Sequence, residues 1–119
     1  MAVAETVEPL FDAHIHFFTN DTAHYPIDPR FAREPEEIFR ARIMHAPATP
    51  DTIFRLWRRA SVEGGVGVQY SGAYKTDNSY LLDLADRYRA RIATEIIGDA
   101  RDPASPAHIE QMVRGRHID

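Results

Sequence analysis

Three short apolar runs, each followed by a stretch of helical periodicity, constrain this chain more than any other feature. Residues 9–18 read as a first strand, Val66–Tyr70 as a second and Ile92–Ile97 as a third. A helix is expected over residues 52–63, with Ile53, Phe54, Leu56, Trp57 and Ala60 on one face and Arg55, Arg58 and Arg59 on the other. Asp51 is placed to cap that helix and Gly64-Gly65 to end it. A second helix should run from an Asn78 cap to about Arg89, with Tyr80, Leu81, Leu84, Ala85 and Tyr88 on its stripe. A third starts at Ser105-Pro106, carries Ile109, Met112 and Val113, and ends near Gly115. Strands alternating with helices imply an α/β fold with a parallel sheet, right-handed crossovers and strands buried on both faces.

The first connection breaks the rhythm. Residues 19–51 hold Pro26, Pro29, Pro35, Pro47 and Pro50, so most of this stretch cannot be regular helix. A short helix fits Glu36–Met44, just after Pro35, while Tyr25 and Phe31 favour a packed loop over a loose one. Connections this long in a compact domain usually carry function. Ser71–Asp77 and residues 98–105 read as shorter loops. Another strand is expected to begin near Ile118-Asp119.

Three strands with their helices cannot close a barrel and leave open edges and uncovered apolar surface. The 119 residues are therefore expected to be the N-terminal part of a larger parallel α/β domain, with 19–51 as a long loop after its first strand. Such a piece is expected to self-associate or to join the remainder of the fold. A net charge of −4 argues against nucleic acid as a main partner. With no cysteine, thiolate chemistry and Cys-type zinc sites are excluded, and a cytoplasmic location is expected. The acidic start, Met1 to Glu8, does not read as a signal peptide, and no apolar run is long enough to span a membrane.

Chemistry concentrates in Phe11-Asp12-Ala13-His14-Ile15-His16-Phe17-Phe18. On a strand, residues two apart share a side, so His14 and His16 can reach one ion or one substrate, and Asp12 would share that side. Two readings stand: a metal or substrate site, or packed core histidines. Neutral imidazoles suit zinc, but catalytic zinc takes about three protein ligands plus water, so two histidines are a partial set. Asp12 could orient an imidazole or bond strand-end amides.

The strand Asp12-Ala13-His14-Ile15-His16 resembles the first strand of the amidohydrolase superfamily. Val68-Gln69-Tyr70-Ser71, followed by Asp77-Asn78-Ser79-Tyr80-Leu81-Leu82-Asp83, resembles the amidohydrolase-related branch that includes 2-pyrone-4,6-dicarboxylate lactonase and sugar-lactone hydrolases. The resemblance implies the first three β/α units of a (β/α)8 TIM-like barrel, which needs about 250 residues and places catalytic residues at the C-terminal ends of its strands. It implies a hydrolase acting on a lactone or similar cyclic ester or amide. His14 and His16 would then be catalytic, binding a divalent metal such as zinc or, without metal, polarising the substrate carbonyl directly. Ser71 would hold a substrate carboxylate or carbonyl, with Tyr74 and Lys75 beside it. The later-strand ligands and the general base have no counterpart in these residues. A non-oxidative decarboxylase of the same superfamily is the alternative chemistry, and a non-catalytic half-barrel that associates with itself the alternative class.

Bland roles compete at each further position. Ser71 can satisfy loop backbone, Gln69 can be a buried polar anchor, and Asp77-Asn78 can be a helix cap. His24 and His45 lie in the long loop and could reach a barrel mouth; His108 sits on a helix surface.

Overall fold

The computed structural model describes residues 8–116. The expected strand start at Ile118-Asp119 lies outside them. Within them the chain is an α/β structure built on a parallel three-stranded sheet in the order β1-β2-β3. The strands are β1 (Leu10–Ile15), β2 (Val62–Val68) and β3 (Ile92–Glu95). Helix α1 (Glu36–His45) lies in the long connection and α2 (Pro50–Arg59) leads into β2. A single turn, α3 (Ser71–Tyr74), precedes α4 (Ser79–Arg87), and α5 (Ser105–Arg116) follows β3.

Several boundaries depart from the sequence pattern for identifiable reasons. The second helix occupies Pro50–Arg59 rather than 52–63. Pro50 takes the first helical position, where its missing N–H costs nothing, so Thr49 and not Asp51 is the N-cap residue. Gly64 and Gly65 do not stop the helix; they are strand residues, and the Gly65 amide donates to the Arg91 carbonyl at 2.9 Å. Reversal falls instead on Ser61, whose φ of 58° is left-handed without glycine's freedom. Strand β3 stops at Glu95 instead of Ile97 because the Asn78 side chain, not another strand, takes both backbone groups of Ile97.

The core lies between the sheet and its helices. Ile53, Phe54 and Trp57 of α2 and Tyr80, Leu81 and Leu84 of α4 join Ile92 of β3 in one buried cluster. Leu56 and Ala60, expected on the same face as Trp57, are exposed. Close packing depends on glycine in β2: a Cβ on Gly65 would lie 2.5 Å from the Asp12 carbonyl oxygen and 2.9 Å from Trp57 Cζ2. Burial on both faces is reached at the end of the central strand, where the successive residues Gly67 and Val68 are both buried, and not on β1. None of the six β1 residues is buried, and Phe11 is 69% exposed.

The long connection is packed, as its aromatics require. Phe39 and Ile43, one turn apart on α1, are the largest fully buried side chains among the described residues. The loop closes where Phe18 pairs with Ala48 in an isolated antiparallel bridge. Farther along, the Tyr25 ring lies against Tyr80 with centroids 4.8 Å apart, and its hydroxyl donates to Asp83 Oδ2 at 2.6 Å.

Two substitutions are expected to shift stability in opposite directions. Ser61→Gly relieves the left-handed strain and should stabilise the fold by about 0.5–1 kcal/mol, after glycine's own entropy cost. Gly65→Ala drives a methyl into backbone and Trp57 and should destabilise it by about 1–3 kcal/mol. Urea melts of the three proteins check both signs.

The Tyr25–Asp83 bond also carries a pH signature. That hydrogen bond, with burial behind it, pushes the Tyr25 phenol up to about 12. An unfolded tyrosine ionises near about 10, so the bond's stabilisation is whole below that pH and is lost as the pH rises through the folded value. Tyr25→Phe should therefore lower stability at about pH 8 and flatten part of its decline between about pH 10 and 12, as read by denaturant melts across that range.

Candidate functional site

Parallel strands end along one edge of a sheet, and here that edge gathers the polar residues. His14 lies near the end of β1 and His16 just beyond it, while Tyr70 and Ser71 follow the end of β2. The two imidazoles converge, with Nε2 to Nε2 at 3.3 Å and ring planes at 88°. His16 Nδ1 lies 2.9 Å from the Val68 carbonyl oxygen. A carbonyl only accepts, so Nδ1 carries the proton and the Nε2 of neutral His16 presents a lone pair. Between two neutral rings, His14 Nε2–H then donates to His16 Nε2.

The same spacing fits a metal edge. Nitrogens bound to tetrahedral zinc at about 2.0–2.1 Å stand roughly 3.3–3.4 Å from one another, and a backbone carbonyl on the far ring nitrogen is the usual outer support of such a histidine. Among the described residues no three His, Asp or Glu side chains gather as a metal-binding group. For such an ion His14 and His16 would supply two positions.

Asp12 does not join the imidazoles. Its Oδ1 accepts the His14 backbone N–H at 3.1 Å and its Oδ2 accepts Trp57 Nε1–H at 3.1 Å, fastening β1 to α2. That leaves the His14 ring oriented by the strand and by His16 rather than by a carboxylate.

Of the residues expected after β2, Ser71 is brought to the pair and Tyr74 is not. Ser71 and His16 line one cleft of about 490 Å³, together with Tyr70, Arg42, Glu34 and Phe31. The Tyr70 ring stacks on His16 with centroids 5.3 Å apart and planes at 27°. Tyr74 turns into the core, where its hydroxyl accepts the Thr19 N–H at 3.1 Å and burial pushes its phenol above the usual range. Lys75 stands over the Phe31 ring, its Nζ 4.3 Å from the centroid.

The segment from Gln69 to Asn78 divides into scaffold and candidate site. Gln69 is 2% exposed and donates to the carbonyls of Lys75 at 3.1 Å and Asp77 at 2.7 Å. Those bonds hold the 71–77 segment, including Lys75 at a φ of 50°, in a conformation a free loop would avoid. The helix-capping side chain is Asp77, whose Oδ1 accepts the Ser79 N–H at 3.1 Å. Asn78, at the N-cap position, makes no capping bond and instead clamps the end of β3: its Nδ2 donates to Ile97 O at 2.9 Å and its Oδ1 accepts Ile97 N–H at 3.0 Å. Gln69 and Asn78 thus position the loops from which Tyr70 and Ser71 project.

Arg42 and Tyr70 are site residues that sequence reasoning missed. Arg42 lies on α1 in the long connection, far from β2 in sequence, yet its Nη2 donates to the Tyr70 hydroxyl at 2.7 Å and pairs with Glu34. The one available signal was a helix inside a proline-rich loop, which marks a packed structure over the sheet end. His24, also in the loop, pairs with Asp21 at 2.8 Å beside a different cleft of about 430 Å³ between the loop and α4.

Neither a scan against protein-family models nor a search of curated proteins finds a match to this chain.

Removing the Asn78 clamp is expected to be costly because Ile97 would keep two unpaired backbone groups. Asn78→Ala should lose about 1–3 kcal/mol of stability. Hydrogen exchange at the Ile97 amide should accelerate more than exchange along β1, and uniform acceleration would speak against the clamp.

Proposed function

We propose that the chain is the N-terminal part of an amidohydrolase-related hydrolase that opens a lactone or a similar cyclic ester or amide. The observation that carries this reading is the convergence of His14 and His16 Nε2 at 3.3 Å on the strand-end edge, next to a cleft that also holds Ser71. In this reading β1, β2 and β3 are the first three strands of a (β/α)8 barrel and its remaining strands supply the missing ligands and the general base. The open β1 edge and the 69% exposed Phe11 favour association with that remainder or with a second copy.

His14 and His16 would hold the metal, through Nε2 in His16 because Val68 occupies Nδ1. A divalent ion there supplies Lewis-acid polarisation of the scissile carbonyl. Without it, His14 Nε2–H could turn from His16 Nε2 to the oxygen on which negative charge develops, while His16 Nδ1–H stays on Val68. The chain's own residues act by placement. Tyr70 stacks on His16 and limits its rotation, and the Ser71 hydroxyl, which has no hydrogen-bond partner among the described residues, is available to hold substrate oxygen.

Among the described residues no helix is long and apolar enough to cross a membrane. The expected substrate is a small molecule, and a cytoplasmic location is part of the proposal.

Zinc titration followed by imidazole nitrogen NMR tests the pair. Zinc is expected to shift both rings, at Nε2 in His16, with weak affinity from only two ligands; His16→Asn should abolish the response. Coordination through His16 Nδ1, or a response that survives the substitution, would sink the assignment. For the reaction itself, the protein expressed with all downstream coding sequence should open members of a panel of lactones and cyclic amides. Complete inertness on that panel would overturn the hydrolase reading.

A further inference from the structure

The edge of the sheet opposite His14 and His16 gathers positive charge on an acidic chain. The net charge is −4, yet Arg55, Arg58 and Arg59 stand in the C-terminal half of α2, and Arg87, Arg89 and Arg91 lie between the end of α4 and the start of β3. Both clusters fall where β2 and β3 begin, because each helix runs back against the strands. Arg58 and Arg91 line one cleft of about 480 Å³ there, with Ser61 just before β2. Arginines at helix ends ordinarily form a solvated face. Arg91 is instead built in: its guanidinium lies 4.0 Å from the Phe54 centroid and 5.9 Å from that of Trp57, and its Nε donates to the Glu63 carbonyl at 3.4 Å. Stacking fixes the head group, so little side-chain entropy remains to be lost on binding. Among the described residues its Nη1 and Nη2 have no hydrogen-bond partner. Ion pairs hold Arg30, Arg40, Arg42, Arg101 and Arg114, and among the described residues none reaches Arg58 or Arg91. The Glu8 and Glu63 side chains line the same cleft without pairing with either arginine. The Ser61 carbonyl accepts the Leu10 N–H at 3.4 Å, and its hydroxyl has no partner among the described residues.

We propose that Arg58 and Arg91 form a second binding site, for the phosphate group of a soluble phosphomonoester, with the Ser61 hydroxyl as a third donor. One guanidinium already satisfies a carboxylate through two parallel N–H donors, so a pair of them suits an anion with more charge and more oxygens. A phosphomonoester brings a charge of about −1.5 to −2 and three strong acceptor oxygens. Glu8 and Glu63 set the threshold. They repel every anion that enters, so a singly charged ligand gains little, while a doubly charged one engages both arginines. The same carboxylates disfavour a lipid surface, whose many negative charges would meet them at once. Around the cleft, the other arginines of this edge raise the local concentration of anions. The site is remote from the imidazole pair and stands independently of the hydrolase reading.

The test titrates inorganic phosphate into the full chain at constant ionic strength, with acetate as the singly charged control. Binding is followed by NMR at the arginine Nε–H groups and the backbone amides. Phosphate is expected to shift Arg58, Arg91 and Ser61 and to bind at least about tenfold more tightly than acetate. R91Q should lose most of that affinity, and R91K, which keeps the charge without the stacked fork, should retain only part of it. R58Q changes an exposed helix end outside the core, so it should weaken phosphate binding several-fold while the melting temperature stays nearly constant. E63Q, which keeps the backbone bond to Arg91, should tighten phosphate binding several-fold. Equal binding of phosphate and acetate, shifts spread evenly over all arginines, phosphate affinity that R58Q leaves intact, or an E63Q protein that binds no more tightly would each overturn the proposal. Vesicles containing phosphatidic acid are expected not to retain the chain. Retention that R58Q abolishes would assign these arginines to a membrane surface and overturn the soluble ligand.

Discussion

The structure depends on the bare backbone of β2. This strand is hydrogen-bonded on both edges, to β1 and to β3, and Gly64, Gly65 and Gly67 lie within it. Trp57 and Asp12 come close enough to Gly65 that a single added carbon would collide with them, and Leu81 does the same at Gly67, 2.7 Å from where a Cβ would stand. Helices α2 and α4 can therefore settle directly on the sheet, and Trp57 can reach Asp12 to tie in the edge strand. Any larger residue would lift the helices and loosen the register that sets the strand ends.

Those strand ends are where the candidate site lies. The bond from His16 Nδ1 to the Val68 carbonyl joins the end of β1 to the end of β2 and fixes which nitrogen of His16 is free. Gln69 and Asn78, both buried, then arrange the turns that follow, each by bonding backbone carbonyls that the sheet has stopped serving. Two polar side chains inside a core are tolerated because their bonds are made, and they fix loop shapes that apolar packing alone would leave degenerate. The long connection adds the remaining wall of the cleft, with α1 anchored by Phe39 and Ile43 and presenting Arg42 toward Tyr70.

Much of the element order could be read directly from hydrophobic period, and the His14–His16 convergence follows from the two-residue repeat of a strand. Boundaries were harder because glycine and proline each have two meanings. Gly64-Gly65 can stop a helix or thin a strand for close packing, and only the presence of Trp57 above it decides which. Asn78 similarly has the composition of a cap, yet its amide is drawn to Ile97, nineteen residues later, once β3 lies alongside. Tyr74 looks like a loop residue in sequence; the short α3 turn rotates it inward to Thr19.

By itself, the sequence determined an α/β chain with parallel strands, a long packed connection and two imidazoles on one strand, because period and proline placement are local properties. The tertiary structure alone decided what those imidazoles face. Tautomer, stacking and the charged wall of the cleft come from Val68, Tyr70, Arg42 and Glu34, which are remote from His16 along the chain. They meet it only because parallel pairing carries every strand to the same edge and the buried face of α1 folds the long loop back across it.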